Sequence, residues 1–140
     1  MSDKILAANK LMEGQFSCVL VKDGEVLMTS KDRGIRPIIK MLMEDQNSLK
    51  DRVLADKIIG KAAALLVVFG QVEYLYAHVI SDCAKNILEK NNIVVNYNHI
   101  VPYIMNEDGT DKCMMEKMVE DIEEPAEAFA LFKDFFKDRL

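Results

Sequence analysis

The sequence predicts an α/β protein, a three-layer α/β/α sandwich around a mixed sheet, and three observations carry that expectation. Asp23-Gly24 lies between two β-rich runs in "FSCVLVKDGEVLMTS", the dipeptide favoured where both residues of a hairpin turn need positive φ. Downstream, apolar runs alternate with segments of helical spacing over short links, the pattern of parallel strands joined by right-handed crossovers. The chain has 140 residues, half of them hydrophobic, enough for one core and too few for two ordinary ones. The whole chain, 1–140, reads as a single domain.

The elements follow one another closely. Residues 3 to 13 have the spacing of an amphipathic helix, with Ile5, Leu6 and Met12 available to one apolar side and Gly14 ending it. In the hairpin, Phe16, Cys18 and Leu20 share one face and Ser17, Val19 and Val21 the other, so Cys18 reads as a core residue. After the loop "SKDRGIRP" a short helix is expected through "IIKMLMED", then a longer helix from about 53 to 69, stopped by Gly70. "VEYLYAHVI", residues 72 to 80, reads as a strand buried on both faces. Ser81 is placed to cap the helix "DCAKNILEKN", and "IVVNYNHIV" is the next strand. The loop "PYIMNEDGTD" leads to a helix beginning near Lys112, and Pro125 suits the first turn of a last helix. The order is helix, hairpin, helix, strand, helix, strand, helix, helix, with the antiparallel hairpin at one side of parallel neighbours.

Composition excludes several function classes. Charged residues make up 29% with a net charge of −5, which disfavours bulk nucleic-acid or anionic-membrane binding. The longest apolar runs are broken by Lys61 and Gly70, short of a bilayer span, and the first residues lack the pattern of a secretory signal, so a cytoplasmic protein is expected. Three widely spaced cysteines make no disulfide framework. His78 and His99 stand in no C-x-x-C or H-x-x-x-H pattern, so neither a metal nor a cofactor is expected.

"VLADKIIGKAAALL", residues 53 to 66, concentrates the unusual features. Read as a helix, its apolar stripe is Leu54, Ile58, Ile59, Ala62, Leu65, Leu66 and Phe69, with Asp56, Gly60 and Ala63 along one edge. Lys57 and Lys61 would then be like charges at i, i+4, and Gly60 would cost on the order of 1 kcal/mol relative to Ala. Their coincidence marks either a site where backbone or ligand comes close, or a glycine that admits a tightly packed neighbour while the lysines reach water.

The succession of a helix, a hairpin, a helix with a small-residue edge, a strand, a capped helix and a further strand resembles the cytidine-deaminase fold, whose central helices open with H-A-E or C-A-E and with P-C-x-x-C. Leu54-Ala55-Asp56 and Ser81-Asp82-Cys83-Ala84-Lys85-Asn86 stand at those positions. The zinc ligands are missing, since Leu54 cannot bind metal and Asn86 replaces the second cysteine. Only Asp56 falls where that family's proton-shuttling glutamate would sit, so zinc-dependent deamination is not expected. "SCVLVKDGEV", "DRGIRP", "ADKIIGKAAALL", "VPYI", "DGT" and the pair Cys113 and Glu116 together resemble the family called domain of unknown function 1893, whose members are deaminase-like in fold without the zinc set. That resemblance implies a fold and a pocket location.

The pocket is expected at the N-termini of the two central helices, gathering Asp56, Lys57, Ser81 and Asp82 with Lys61 one turn deeper and Gly60 beside it. Arg33 and Arg36 around Gly34 supply guanidinium forks suited to phosphate or carboxylate, or else form an ordinary solvated turn. Cys113 near a helix N-terminus, with Glu116 three residues on, is a candidate thiol and carboxylate pair, or a small filler beside a surface charge. Phe129, Phe132, Phe135 and Phe136 form a stripe on the last helix that suggests a homo-oligomer interface. Three functions stay open. The first is a domain binding a nucleotide-like or other small anionic ligand, with Asp56 and Lys61 available for metal-independent chemistry. The others are a non-catalytic interaction or scaffold protein acting as an oligomer, and a thiol-dependent enzyme using Cys113.

Overall fold

The structure is a computed structural model and describes residues 2–140. Ser2 caps α1 (Asp3–Met12), accepting from the Ile5 N–H. The helix leads into β1 (Cys18–Lys22) and β2 (Glu25–Ser30). Asp23 and Gly24 have φ of 50° and 80°, the mirror-image turn that their identities predict. The Asp3 carboxylate accepts from both turn amides, at 2.9 and 2.8 Å, and so ties the start of α1 to the hairpin. Next come α2 (Arg36–Glu44), β3 (Val53–Ile59), α3 (Lys61–Gly70) and β4 (Tyr74–Ser81). The chain continues through α4 (Asp82–Lys90), β5 (Val94–Val101), α5 (Met114–Met118) and α6 (Pro125–Phe136).

The five strands form one mixed sheet in the order β2-β1-β3-β4-β5. β1 is antiparallel to β2 and β3, whereas β3, β4 and β5 run parallel. Helices lie on both faces. α1 alone packs on one, burying Ala7 and Leu11 against Val19, Val21, Val53, Ala55, Tyr74 and Tyr76. On the other, Cys18, Leu20, Leu54, Ile59, Leu75 and Ile80 meet α2, α3, α4 and α6 in the main core. No helix is long and apolar enough to cross a membrane among the described residues.

The largest departure from the sequence reading is the segment 53–69, which is not one helix. Val53–Ile59 is the central strand, paired with β1 through Cys18↔Asp56 and with β4 through Asp56↔Ala77. A central strand buried on both faces has no alternation to expose it, so its apolar run passes for the first turns of the helix that follows. Leu54-Ala55-Asp56 therefore lies inside the sheet, and α3 opens with Lys61-Ala62-Ala63 after an extended Gly60. Lys57 and Lys61 are not helical neighbours. α3 runs through Gly70 and ends at Gln71 in the left-handed region, φ 61°. A Cβ on Gly70 would stand 2.9 Å from Leu49 Cδ1, so that glycine serves close packing.

Smaller corrections have local causes. Ile5 and Met12 point outward on α1, because Ala7 and Leu11 are the pair that faces the sheet. Phe16 precedes the strand and packs with the α1 cluster rather than beside Cys18. Ser81 does cap α4, accepting from the Ala84 N–H at 3.2 Å. In α6, Phe129, Phe132 and Phe136 are buried in the main core and Phe135 packs against it, with Phe129 stacked on Phe69 at 4.4 Å between ring centres. The aromatic stripe is thus internal and leaves no exposed phenylalanine face on α6.

Candidate functional site

Two clefts lie beyond the carboxyl ends of the parallel strands, where open α/β sheets gather their ligand sites. The larger, about 570 Å³, lies among the 31–34 loop, the end of β3, the 104–107 segment and the start of α5. The smaller, about 260 Å³, lies where α3 and α4 begin.

Asp56 contributes to the floor of the large cleft and is 4% exposed. The pairing of β1 with β3 sets it opposite Cys18, whose thiol donates to its carboxylate, and its Oδ1 accepts from the Ile58 N–H at 3.1 Å. Burial pushes the Asp56 carboxyl from its ordinary 3.8 up to about 7, against the opposing hydrogen bonds from Ile58, Cys18 and Lys57. Burial, and then the adjacent Asp56 charge, hold the Cys18 thiol well above its usual range. The result is a carboxyl that can give up or take a proton near neutral pH, the property required of a general acid or base.

Ile58, Ile104, Met105 and Met114 supply apolar wall, while Lys31, Arg33, Lys57, Asp32 and Glu107 bring charge to the lining. Arg33 and Glu107, both largely exposed, form an ion pair that joins the 31–34 loop to the 104–107 segment. Gly34 sits in that loop with φ 59°. Cys113, half-buried, lines the same cleft and precedes α5, its N–H donating to the Ile104 carbonyl at 3.0 Å.

Glu116 does not join Cys113 there. Its Oε1 accepts from the Lys61 N–H at 2.7 Å and its Oε2 from the Ala62 N–H at 2.8 Å, capping α3 from another helix. The partial positive charge of that helix end is therefore already met by a carboxylate of the same chain. Two of the amides that the expected anion site at the start of α3 would use are thereby already taken. The cap also explains Gly60, since a Cβ there would lie 2.2 Å from Glu116 Oε1 and 2.8 Å from Ile104 Cγ1. Lys61 turns away from the large cleft, its Nζ reaching the Glu120 carbonyl and Glu123 Oε1, each at 3.1 Å. Ser81, Lys61 and Glu116 line the smaller cleft with Cys83. Asp82 is exposed in the first turn of α4, where a carboxylate complements the helix end. Arg36 Nη1 donates to the Arg139 carbonyl at 3.0 Å and the guanidinium lies over the Phe136 ring, so it ties α2 to the end of the chain.

Of the residues read from the sequence, the fold thus unites Asp56, Lys57, Arg33, Gly34 and Cys113 in one cleft, and places Lys61, Gly60, Ser81 and Glu116 at or near the other. Cys18, Lys31 and Glu107 were missed as site groups. Only the register of β1 against β3 reveals Cys18, while the acid in "MNEDGT" opposite the base in "KDRG" was the available signal for the mouth.

The family model described as domain of unknown function (DUF1893), TM1506, matches residues 6–136. The chain belongs to the DUF1893 family. It is also similar to the crystal structure of a DUF1893 family protein (TM1506) from Thermotoga maritima, with a TM-score of 0.86 and 26% identity over 97% of this chain and 92% of that one. No curated protein matches the chain. The family description assigns no reaction, and the groups able to do chemistry in this DUF1893 protein are those of its own cleft.

Proposed function

We propose that this protein binds a small nucleotide-like ligand in the cleft above Asp56, on a fold akin to that of the cytidine deaminases but without their zinc set. The kinship is supported by the order of elements and by two helices, α3 and α4, that open directly after the parallel strands β3 and β4. The ligand site differs from the one that resemblance implies. It lies beside the α3 N-terminus, which Glu116 occupies.

The observation that carries the reading is a buried carboxyl under an apolar-walled cleft with cations in its lining. Ile58, Ile104, Met105 and Met114 suit a flat ring, and Asp56 offers that ring one hydrogen-bonding partner deep in the site. Lys31 and Lys57 have no ion-pair partner among the described residues and are free to meet a phosphate. Charge at the mouth and a titrating carboxyl at the floor are the division of labour a nucleotide or similar anion requires. The thiol-dependent alternative rests on Cys113; since no histidine lines the cleft, Asp56 is the group there able to serve as its base.

Isothermal titration with a panel of nucleoside monophosphates and the matched nucleosides tests the proposal. At least one monophosphate should bind, with Asp56→Asn and Lys57→Ala each weakening it about tenfold, a loss of roughly 1.4 kcal/mol. Absence of saturable binding across the panel, or binding undiminished in both variants, would overturn it.

A further inference from the structure

A second cavity, about 340 Å³, adjoins the large cleft on the side of α2 and α6. Arg33, Gly34 and Met114 line both, so the two share a rim. A Cβ on Gly34 would meet nothing within 4 Å, and the way over that residue is open.

The two spaces differ in charge. In the cleft, Lys31, Arg33 and Lys57 are matched in number by Asp32, Asp56 and Glu107. Around the second cavity stand Arg33, Arg36 and Arg139, with no Asp or Glu in its wall among the described residues. A chain of net charge −5 has thus gathered three guanidinium groups about one space.

Two of the three are held in place. Arg36 Nη1 donates to the Arg139 carbonyl at 3.0 Å, and Arg139 Nη1 donates to the Phe135 carbonyl. The Arg36 guanidinium lies 5.5 Å from the centre of the Phe136 ring, and that of Arg139 lies 4.2 Å from the centre of Phe135. Neither has an ion-pair partner among the described residues. A guanidinium carries more N–H donors than one carbonyl can take, so both keep donors to offer. Like charges gathered without a counter-ion repel, and an oxyanion between them relieves that repulsion through charge-assisted, bidentate hydrogen bonds.

Building on the reading of the cleft as a nucleotide site, we propose that Arg33, Arg36 and Arg139 form a polyphosphate subsite, which makes the ligand a nucleoside di- or triphosphate. Its ring lies over Asp56 and its first phosphate meets Lys31 and Lys57. The later phosphates cross Gly34 to the arginines.

Isothermal titration without divalent cations tests this with the mono-, di- and triphosphates of the common ribonucleosides, and with inorganic triphosphate as the probe of the arginines alone. For a base that binds, the triphosphate should bind about tenfold more tightly than the monophosphate. Arg36→Gln and Arg139→Gln, whose amides can still reach the carbonyls, should each cut that ratio several-fold, whereas Asp56→Asn should weaken all three forms alike. Inorganic triphosphate should bind the wild type and lose affinity in both arginine variants. Equal affinity for mono- and triphosphate, a ratio undiminished in both arginine variants, or no binding of inorganic triphosphate would each overturn the subsite while the monophosphate cleft stands. Inorganic triphosphate held through the arginines with no nucleotide bound would instead overturn the cleft reading and support the subsite.

Discussion

Glu116 and Gly60 are fitted to each other across 56 positions of sequence: the Glu116 carboxylate caps α3 from the space that a side chain at position 60 would fill. A carboxylate on two helix N-terminal amides combines charge-assisted hydrogen bonds with the helix dipole. Glu116→Ala should therefore cost on the order of 2 kcal/mol, and Glu116→Gln about half as much. Gly60→Ala should cost a similar amount by displacing the cap. The two sites share one contact, so the double variant Gly60→Ala/Glu116→Ala should fall short of additivity by at least about 1 kcal/mol. Urea unfolding of the four chains measures the coupling; additive losses would mean that glycine and cap are independent.

Asp56 makes stability depend on pH with a definite sign. Its carboxyl keeps a proton up to about pH 7 in the folded chain, against an ordinary value of 3.8. Between those limits the folded state holds more protons than the unfolded, so stability falls as pH rises through the window. The penalty is absent below the lower limit and complete above the upper, amounting to at most about 4 kcal/mol. Asp56→Asn removes it. The variant should gain on the wild type from pH 4 to 7 and hold that gain above, in unfolding curves across pH; a difference that does not change with pH would refute the account.

The three thiols should separate by environment. Cys83 is exposed, Cys113 half-buried and Cys18 fully buried. Burial of the Cys83 sulfur raises its pKa despite the exposure of the residue, with the neighbouring Lys61 charge only partly opposing. A disulfide reagent at pH 7.5 should thus modify Cys83 first, yet more slowly than a free thiol, because the thiolate is the reacting form. Cys18 should react only at the rate of unfolding. A cleft ligand should protect Cys113 and leave Cys83 unaffected, which mass mapping of the modified peptides would register.

What was legible in the sequence followed from local chemistry. Asp23-Gly24 dictates its turn, Ser81 its cap and Pro125 its first helical turn, and each needs only its neighbours. Val53–Ile59 failed because its conformation is decided by β1 and β4 on either side, and an apolar run with Asp56 and Lys57 inside it fits a helix face as well as a central strand. The site was half legible for the same reason. Arg33, Asp56, Lys57 and Cys113 were chemically conspicuous, but pairing Cys18 with Asp56 and Glu116 with α3 takes the tertiary fold. Gly60 was read as either a ligand approach or room for a packed neighbour, and the group that fills the space, a carboxylate of this same chain, could not be read from its surroundings in sequence.

Arg33 and Glu107 decide whether charge or shape governs entry to the cleft. Their side chains are 80% and 73% exposed, so the pair contributes little to stability, and its removal should leave unfolding nearly unchanged. Its effect on a charged ligand is different. Glu107→Lys adds positive charge beside Lys31 and Lys57, and Arg33→Glu subtracts it, so association of a nucleoside monophosphate should quicken several-fold in the first and slow several-fold in the second. Added salt should bring the three chains together, since the steering acts through solvent over roughly one Debye length, about 10 Å at 0.1 M. Stopped-flow association rates at two ionic strengths measure this. Opposite shifts that converge in salt mark an anionic ligand drawn in by Lys31 and Lys57; equal rates in all three chains would mean that the cleft admits its ligand by shape and by Asp56 alone.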